Sequence, residues 1–137
     1  MKKIKVLKIS PLKSPKVIEV SGLEDMYKEI GCSLVQEIYP FSDPIAIICD
    51  DEGKINGQFP NRCLWDDNQN VYDIICGPFL VVGTNDDEWC DLSDEEIEKY
   101  TQRFSDPELF FRIPTGIRVL FSKGTRDPIM INFSKSE

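Results

Sequence analysis

The run Ile45-Ala46-Ile47-Ile48-Cys49 is the most apolar stretch of the chain, and it constrains the fold more than any other feature. Successive side chains of a strand point to opposite faces, so an unbroken apolar run leaves no face for water. It predicts a central strand covered on both sides. Turn signals bound it. Pro40 and Pro44 bracket a bend at Phe41-Ser42-Asp43, and Asp50-Asp51-Glu52-Gly53 follows, with Gly53 as the expected positive-φ residue. Residues 54–59 are expected to run back along this strand, broken by Asn56-Gly57, and Pro60 stiffens the approach to Asn61-Arg62.

The flanking segments follow simple periodicities. Ile4 and Val6 alternate with Lys3 and Lys5, a half-exposed strand; Val17, Ile18 and Val20 form a second, paired with it through a proline-containing loop. Leu23, Met26, Tyr27 and Ile30 recur at helical spacing, with Ser21 or Gly22 as cap and Gly31 as terminator. Residues 34–39, 71–76 and 79–82 read as strands, and residues 84–91 as an acidic loop carrying Trp89. Ser93 and Glu96 form a capping box that opens a helix over 93–104, whose inward stripe is Ile97, Tyr100 and Phe104. Pro107 stops it, and residues 109–111 read as a short turn or helix. Two last alternations, Ile117, Val119, Phe121 and Ile129, Ile131, Phe133, flank a turn at Gly124 and predict a C-terminal hairpin. The sum is a single α+β domain, a mixed and largely antiparallel sheet with two helices packed on one face.

Composition excludes several function classes. The chain has no histidine, which removes Ser-His and Cys-His nucleophile pairs, HExxH metal sites and the usual imidazole base. Its five cysteines form no CxxC pair and are expected to be small buried or half-buried apolar residues. No apolar run approaches the ~20 residues that span a bilayer. The N-terminal segment lacks a continuous apolar core, so a strand is expected there and not a signal peptide, and the protein is expected to be cytoplasmic. Charge is segregated. Residues 1–16 hold six lysines and no acid, whereas residues 17–111 hold 22 acidic and 5 basic side chains. An acidic body repels phosphate backbones, so direct nucleic-acid binding is not expected, although acids can mimic phosphates.

Most local motifs read as turns. Asp66-x-Asn68-x-Asn70 opens like a calcium loop but has Val71 where glycine should follow and Gly77 where the closing Glu should stand. Gly53-x-x-x-Gly57 has no Gly-Lys-Ser/Thr after it and is not a phosphate loop. The acid groups Asp50-Asp51, Asp66-Asp67 and Asp86-Asp87-Glu88 could hold a metal or serve as general acid and base if folding joined them, but are expected to be exposed, so no metal or cofactor is expected. Asn61-Arg62 is different. Arg62 is the only arginine before Arg103, and a guanidinium can grip a carboxylate or phosphate with two N–H groups. It either binds an anionic ligand or pairs with an acid such as Asp43 to hold its own loop. If the 45–49 strand folds back against 54–62, the ligand site comprises Tyr39, Asp43, Asn56, Asn61 and Arg62.

The segments Tyr39-Pro40-Phe41-Ser42-Asp43-Pro44, Cys49-Asp50-Asp51-Glu52-Gly53-Lys54-Ile55-Asn56-Gly57, Pro60-Asn61-Arg62 and Tyr72-Asp73-Ile74-Ile75-Cys76-Gly77-Pro78-Phe79 resemble, in order, those of the Domain of Unknown Function 3846 family. The helix segment Glu96-Ile97-Glu98-Lys99-Tyr100 is also similar. The resemblance covers roughly residues 3–110, so residues 1–111 are taken as the family-like body and 112–137 as a C-terminal hairpin extension of the same domain. It implies a small accessory protein of Gram-positive bacteria, their phages or mobile elements, and supplies no catalytic residues. The expectation is a non-enzymatic binding protein for a small anionic ligand such as a nucleotide, with a role against host defence. The alternatives are an acidic inhibitor or DNA mimic that covers a host protein, and a small carboxylate-dependent enzyme. Oligomeric state is left open.

Overall fold

A computed structural model describes residues 2–66, 68 and 70–132; Asp67 and Phe133 of the sequence reading lie outside them. Ile45–Asp50 (β4) is buried at every position; its five apolar residues require this, whereas Asp50, expected to be exposed, is buried because Glu52 N, Asn56 and Gln58 meet its carboxylate. The strand sits between Val35–Ile38 (β3) and Phe79–Asn85 (β7), and β7 in turn pairs with Ile4–Ile9 (β1), which pairs with Lys16–Val20 (β2). Glu88–Cys90 (β8) joins the end of β7. Every pairing in this six-stranded sheet is antiparallel.

The two faces of the sheet divide the core. Val6, Ala46, Ile48, Leu80 and Val82 pack with Met26 and Ile30 of the helix Leu23–Ile30 (α1). Leu7, Ile9, Ile45, Ile47, Phe79 and Val81 pack with Tyr100 and Phe104, from and just beyond the helix Asp94–Arg103 (α2). The helices therefore lie on opposite faces, not on one. The apolar central strand demands this, because each of its faces needs a cover. Gly31 ends α1 in the left-handed conformation, and the Ser93–Glu96 capping box opens α2.

Beyond the main sheet stand a ribbon, Pro60–Trp65 (β5) with Val71–Cys76 (β6), and a three-stranded sheet of Glu108–Ile113 (β9), Gly116–Phe121 (β10) and Ile129–Asn132 (β11). The predicted C-terminal hairpin is β10–β11. Leu64 and Ile75 of the ribbon close the α2 side of the main core. Cys63 meets Val119 and Phe121 in a third cluster that joins the ribbon to the last sheet.

Three local expectations change. Residues 51–57 form turns and do not return along β4, whose two edges are already taken by β3 and β7. Positive φ falls on Gly57, at 73°, and not on Gly53. Gly53 is needed for space: a Cβ there would lie 2.7 Å from the Cys76 carbonyl oxygen. Residues 84–91 are a hairpin and not a loop. Asp86 and Asp87 both take positive φ (49° and 67°), the two-residue turn that matches strand twist. Residues 109–111 lie in β9, where pairing with β10 (Leu109 opposite Leu120) outweighs a local pattern too short to show a period.

Asp106 ties the last sheet down. Its carboxylate accepts hydrogen bonds from Ser122 Oγ, Lys123 N, Thr125 N and Thr125 Oγ1. Burial favours its neutral form, but these donors outweigh that and hold its carboxyl below the usual range. Because the folded value is depressed, the contribution is present above the unfolded carboxylate pKa and is lost as pH falls through the folded one. Asp106→Ala is expected to cost about 2 kcal/mol, comparable to an unsatisfied buried group. Hydrogen exchange should show the loss of protection concentrated in β10 and β11, and the difference from wild type should shrink in acid.

Candidate functional site

Asn61 and Arg62 are fully buried. Arg62 donates through Nε and one terminal nitrogen to the Phe104 carbonyl (3.3 and 2.9 Å) and to the Lys13 carbonyl (2.8 Å). Its other terminal nitrogen donates to the carbonyl and side-chain oxygens of Asn61 (3.1 and 2.8 Å). Asn61 Nδ2 donates to the carbonyls of Ile9 and Gly77, both at 2.9 Å. The acid near Arg62 is Glu108, 4.0 Å from Nε, and not Asp43. Glu108 also accepts from Cys63 N at 2.9 Å. Burial lowers the Arg62 pKa from its ordinary value and raises that of Glu108, each opposed by the other's charge. The five N–H groups of the guanidinium all point at protein oxygens.

The five residues considered together from the sequence are thus divided among three places. Asn56 lies in the 51–57 turns, where Asn56 Nδ2 and Gln58 Nε2 donate to Asp50 Oδ2 (3.5 and 2.8 Å). Tyr39 and Asp43 lie beside α2, because β4 does not pair with β5. The Asp66 carboxylate accepts from the backbone of Asn68 and Asn70, so the calcium-like spacing is a turn. Among the described residues no group of three or more metal-ligating side chains is positioned to hold an ion. All five cysteines are free, with Cys49 and Cys63 buried and the others half-buried.

The place where chemistry converges is a cleft of about 630 Å³ between the 40–44 bend, the end of β5, the start of β6 and the last turns of α2. Arg103 lines it. The guanidinium lies 4.4 Å from the ring centres of both Phe41 and Trp65. Both rings present the negative face of their π system to the cation. Among the described residues, the buried Arg103 Nε has no hydrogen-bond partner and no acid lies within ion-pair distance of Arg103. Burial lowers its pKa, countered by Tyr100 and Tyr72. Lys99, one helical turn earlier, reaches the same cleft, and the exposed rings of Tyr39 and Tyr72 line it.

Asp43 borders this group. Its Oδ2 accepts from Lys99 Nζ at 2.6 Å and from Tyr100 Oη at 2.7 Å. Those two bonds hold the Asp43 carboxyl below its usual range. Burial and the Asp43 charge push the Tyr100 phenol well above its ordinary value. Two of the five basic residues between 17 and 111 therefore meet in one aromatic cleft. The sequence marked Arg103 only as the second arginine of an acidic stretch. Its partners Phe41, Trp65 and Tyr72 belong to three different elements.

The model of a family described as a domain of unknown function (DUF3846) matches residues 4–105. No curated protein and no solved structure matches the chain. No helix among the described residues is long and apolar enough to cross a membrane.

Removing a buried cation that joins several elements leaves its acceptors stranded. Arg62→Ala is expected to lower the stability of the free protein by about 3–5 kcal/mol, read from urea unfolding. Arg62→Lys should recover only part of that, since an ammonium has three donors and no fork.

Proposed function

The chain belongs to the domain of unknown function 3846 family, and we propose that it is a non-enzymatic binding protein for a small anionic ligand such as a nucleotide, held in the Arg103 cleft. The observation that carries this reading is the guanidinium itself. A cation packed against two aromatic rings in a cleft, with no acid among the described residues within ion-pair distance, is a preorganised receptor for an oxyanion. Tyr39 and Tyr72 add exposed aromatic faces on which a planar base can stack. A cleft of 630 Å³ is in the size range of small-molecule sites. In this reading Asn61 and Arg62 build the scaffold and the ligand lies elsewhere.

Sequestration of a signalling nucleotide by a phage or mobile-element accessory protein is the role that this binding would serve. The second reading is an acidic surface that covers a basic face of a host protein. It draws on the strongly acidic segment between residues 17 and 111. That interaction would weaken steeply with salt and would not depend on Arg103. A small carboxylate-dependent enzyme is the third.

The test is native mass spectrometry of protein purified gently from its host, followed by calorimetry with the released compound or with a panel of nucleotides. A stoichiometric adduct is expected. Arg103→Met keeps an apolar stem between the rings and removes the charge, and Tyr72→Ala removes a stacking face. Each should weaken binding roughly tenfold or more, the size of one stacking or charge-assisted contact. Wild-type affinity in both variants would move the function to the acidic surface.

A further inference from the structure

We propose that Lys99 Nζ and Tyr100 Oη form the oxyanion subsite of this cleft, and that the Asp43 carboxylate occupies it as an internal stand-in for the ligand's phosphate. The inference rests on the cleft reading above and names the atoms that receive the charge. An ammonium and a phenol O–H, on adjacent residues of α2, converge on one carboxylate oxygen at 2.6 and 2.7 Å. These are the distances of charge-assisted hydrogen bonds to an oxyanion. Tyr100 is fully buried and its ring is set by Phe41, 5.1 Å away between centroids, so its hydroxyl is fixed in direction. Lys99 is well exposed and free to follow either anion.

Asp43, by contrast, sits in the 40–44 bend, which carries two prolines and is tied to β7 by the hydrogen bond from Thr84 N to the Pro44 carbonyl at 2.9 Å, so the Asp43 side chain itself lies outside the sheet. Among the described residues its side-chain partners are Lys99 and Tyr100. Phe41, on the same bend, packs on the Arg103 guanidinium. The bend thus places a carboxylate against one cation of the cleft and a ring against the other. A phosphate entering beside Arg103 competes with Asp43 for the Lys99 ammonium and the Tyr100 hydroxyl. Asp43 lowers the affinity for anions and does not act on neutral ligands.

Calorimetry with 5′-adenosine monophosphate, inorganic phosphate and adenosine distinguishes the outcomes. Asp43→Asn keeps an acceptor for Tyr100 and deletes the competing charge. It is expected to tighten binding of the monophosphate about three- to tenfold and to leave adenosine unchanged. Tyr100→Phe, which retains the packing, should weaken the monophosphate at least threefold in either background, again without effect on adenosine. Equal or weaker monophosphate binding by Asp43→Asn, or a gain shared by adenosine, would overturn the Asp43 assignment while leaving the cleft reading in place. An unchanged affinity in Tyr100→Phe would do the same for the hydroxyl. If neither wild type nor Asp43→Asn binds any of the three probes, the cleft reading falls and this inference falls with it.

Discussion

A guanidinium shut away from water must have its N–H groups met by protein, and Arg62 satisfies that requirement with oxygens drawn from separate parts of the chain. Lys13 comes from the β1–β2 connection, Phe104 from the end of α2, and Asn61 from β5 itself. Asn61 extends the knot to the end of β1 and to the β6–β7 turn through Ile9 and Gly77. Glu108 adds the start of β9 and also holds the backbone of Cys63. The main sheet, the ribbon, α2 and the last sheet thus meet at two adjacent side chains. A buried charge of this kind adds little to stability by its presence, but its geometry admits one arrangement of the surrounding backbone.

This knot leaves Arg62 no N–H to spare. It consumes the arginine that the sequence made most conspicuous and fixes the end of α2 at Phe104. Arg103, the residue before it, is thereby set against Phe41 and Trp65. The two arginines have opposite surroundings. Arg62 has oxygens on every N–H, whereas Arg103 has rings on its faces and, among the described residues, an Nε without an acceptor. In an acidic protein, the second kind of arginine is the one with capacity left for a partner. The family motifs that drew attention to residues 49–62 also acquire a structural meaning. Gly53 lets the turn pass close to the Cys76 carbonyl, and Asp50 gathers Glu52 N, Asn56 and Gln58 around one carboxylate.

Much of the fold was legible in the sequence because its determinants are local. The bounds of α1 follow from apolar spacing and Gly31, the start of α2 from the Ser93–Glu96 box, and the depth of β4 from five consecutive apolar residues. Tertiary pairing decided the rest. Residues 109–111 are a strand only because β10 lies beside them, and Asp86-Asp87 makes a hairpin turn without glycine because β8 is held against β7. The strand partners of β4 were not readable, since an apolar strand fits many neighbours equally well. From that came the expectation that Tyr39, Asp43, Asn56, Asn61 and Arg62 lie together, which the pairing of β4 with β3 and β7 separates.

By itself, then, the sequence determined the α+β class, the family, the helix limits and a buried central strand, because periodicity and capping act over a few residues. Only the tertiary structure decided that the helices cover opposite faces, that Arg62 is enclosed, and that Arg103 is the arginine exposed to a cleft. The physical reason is desolvation. Whether an arginine is a strut or a receptor depends on which oxygens surround it, and those oxygens come from residues scattered along the chain.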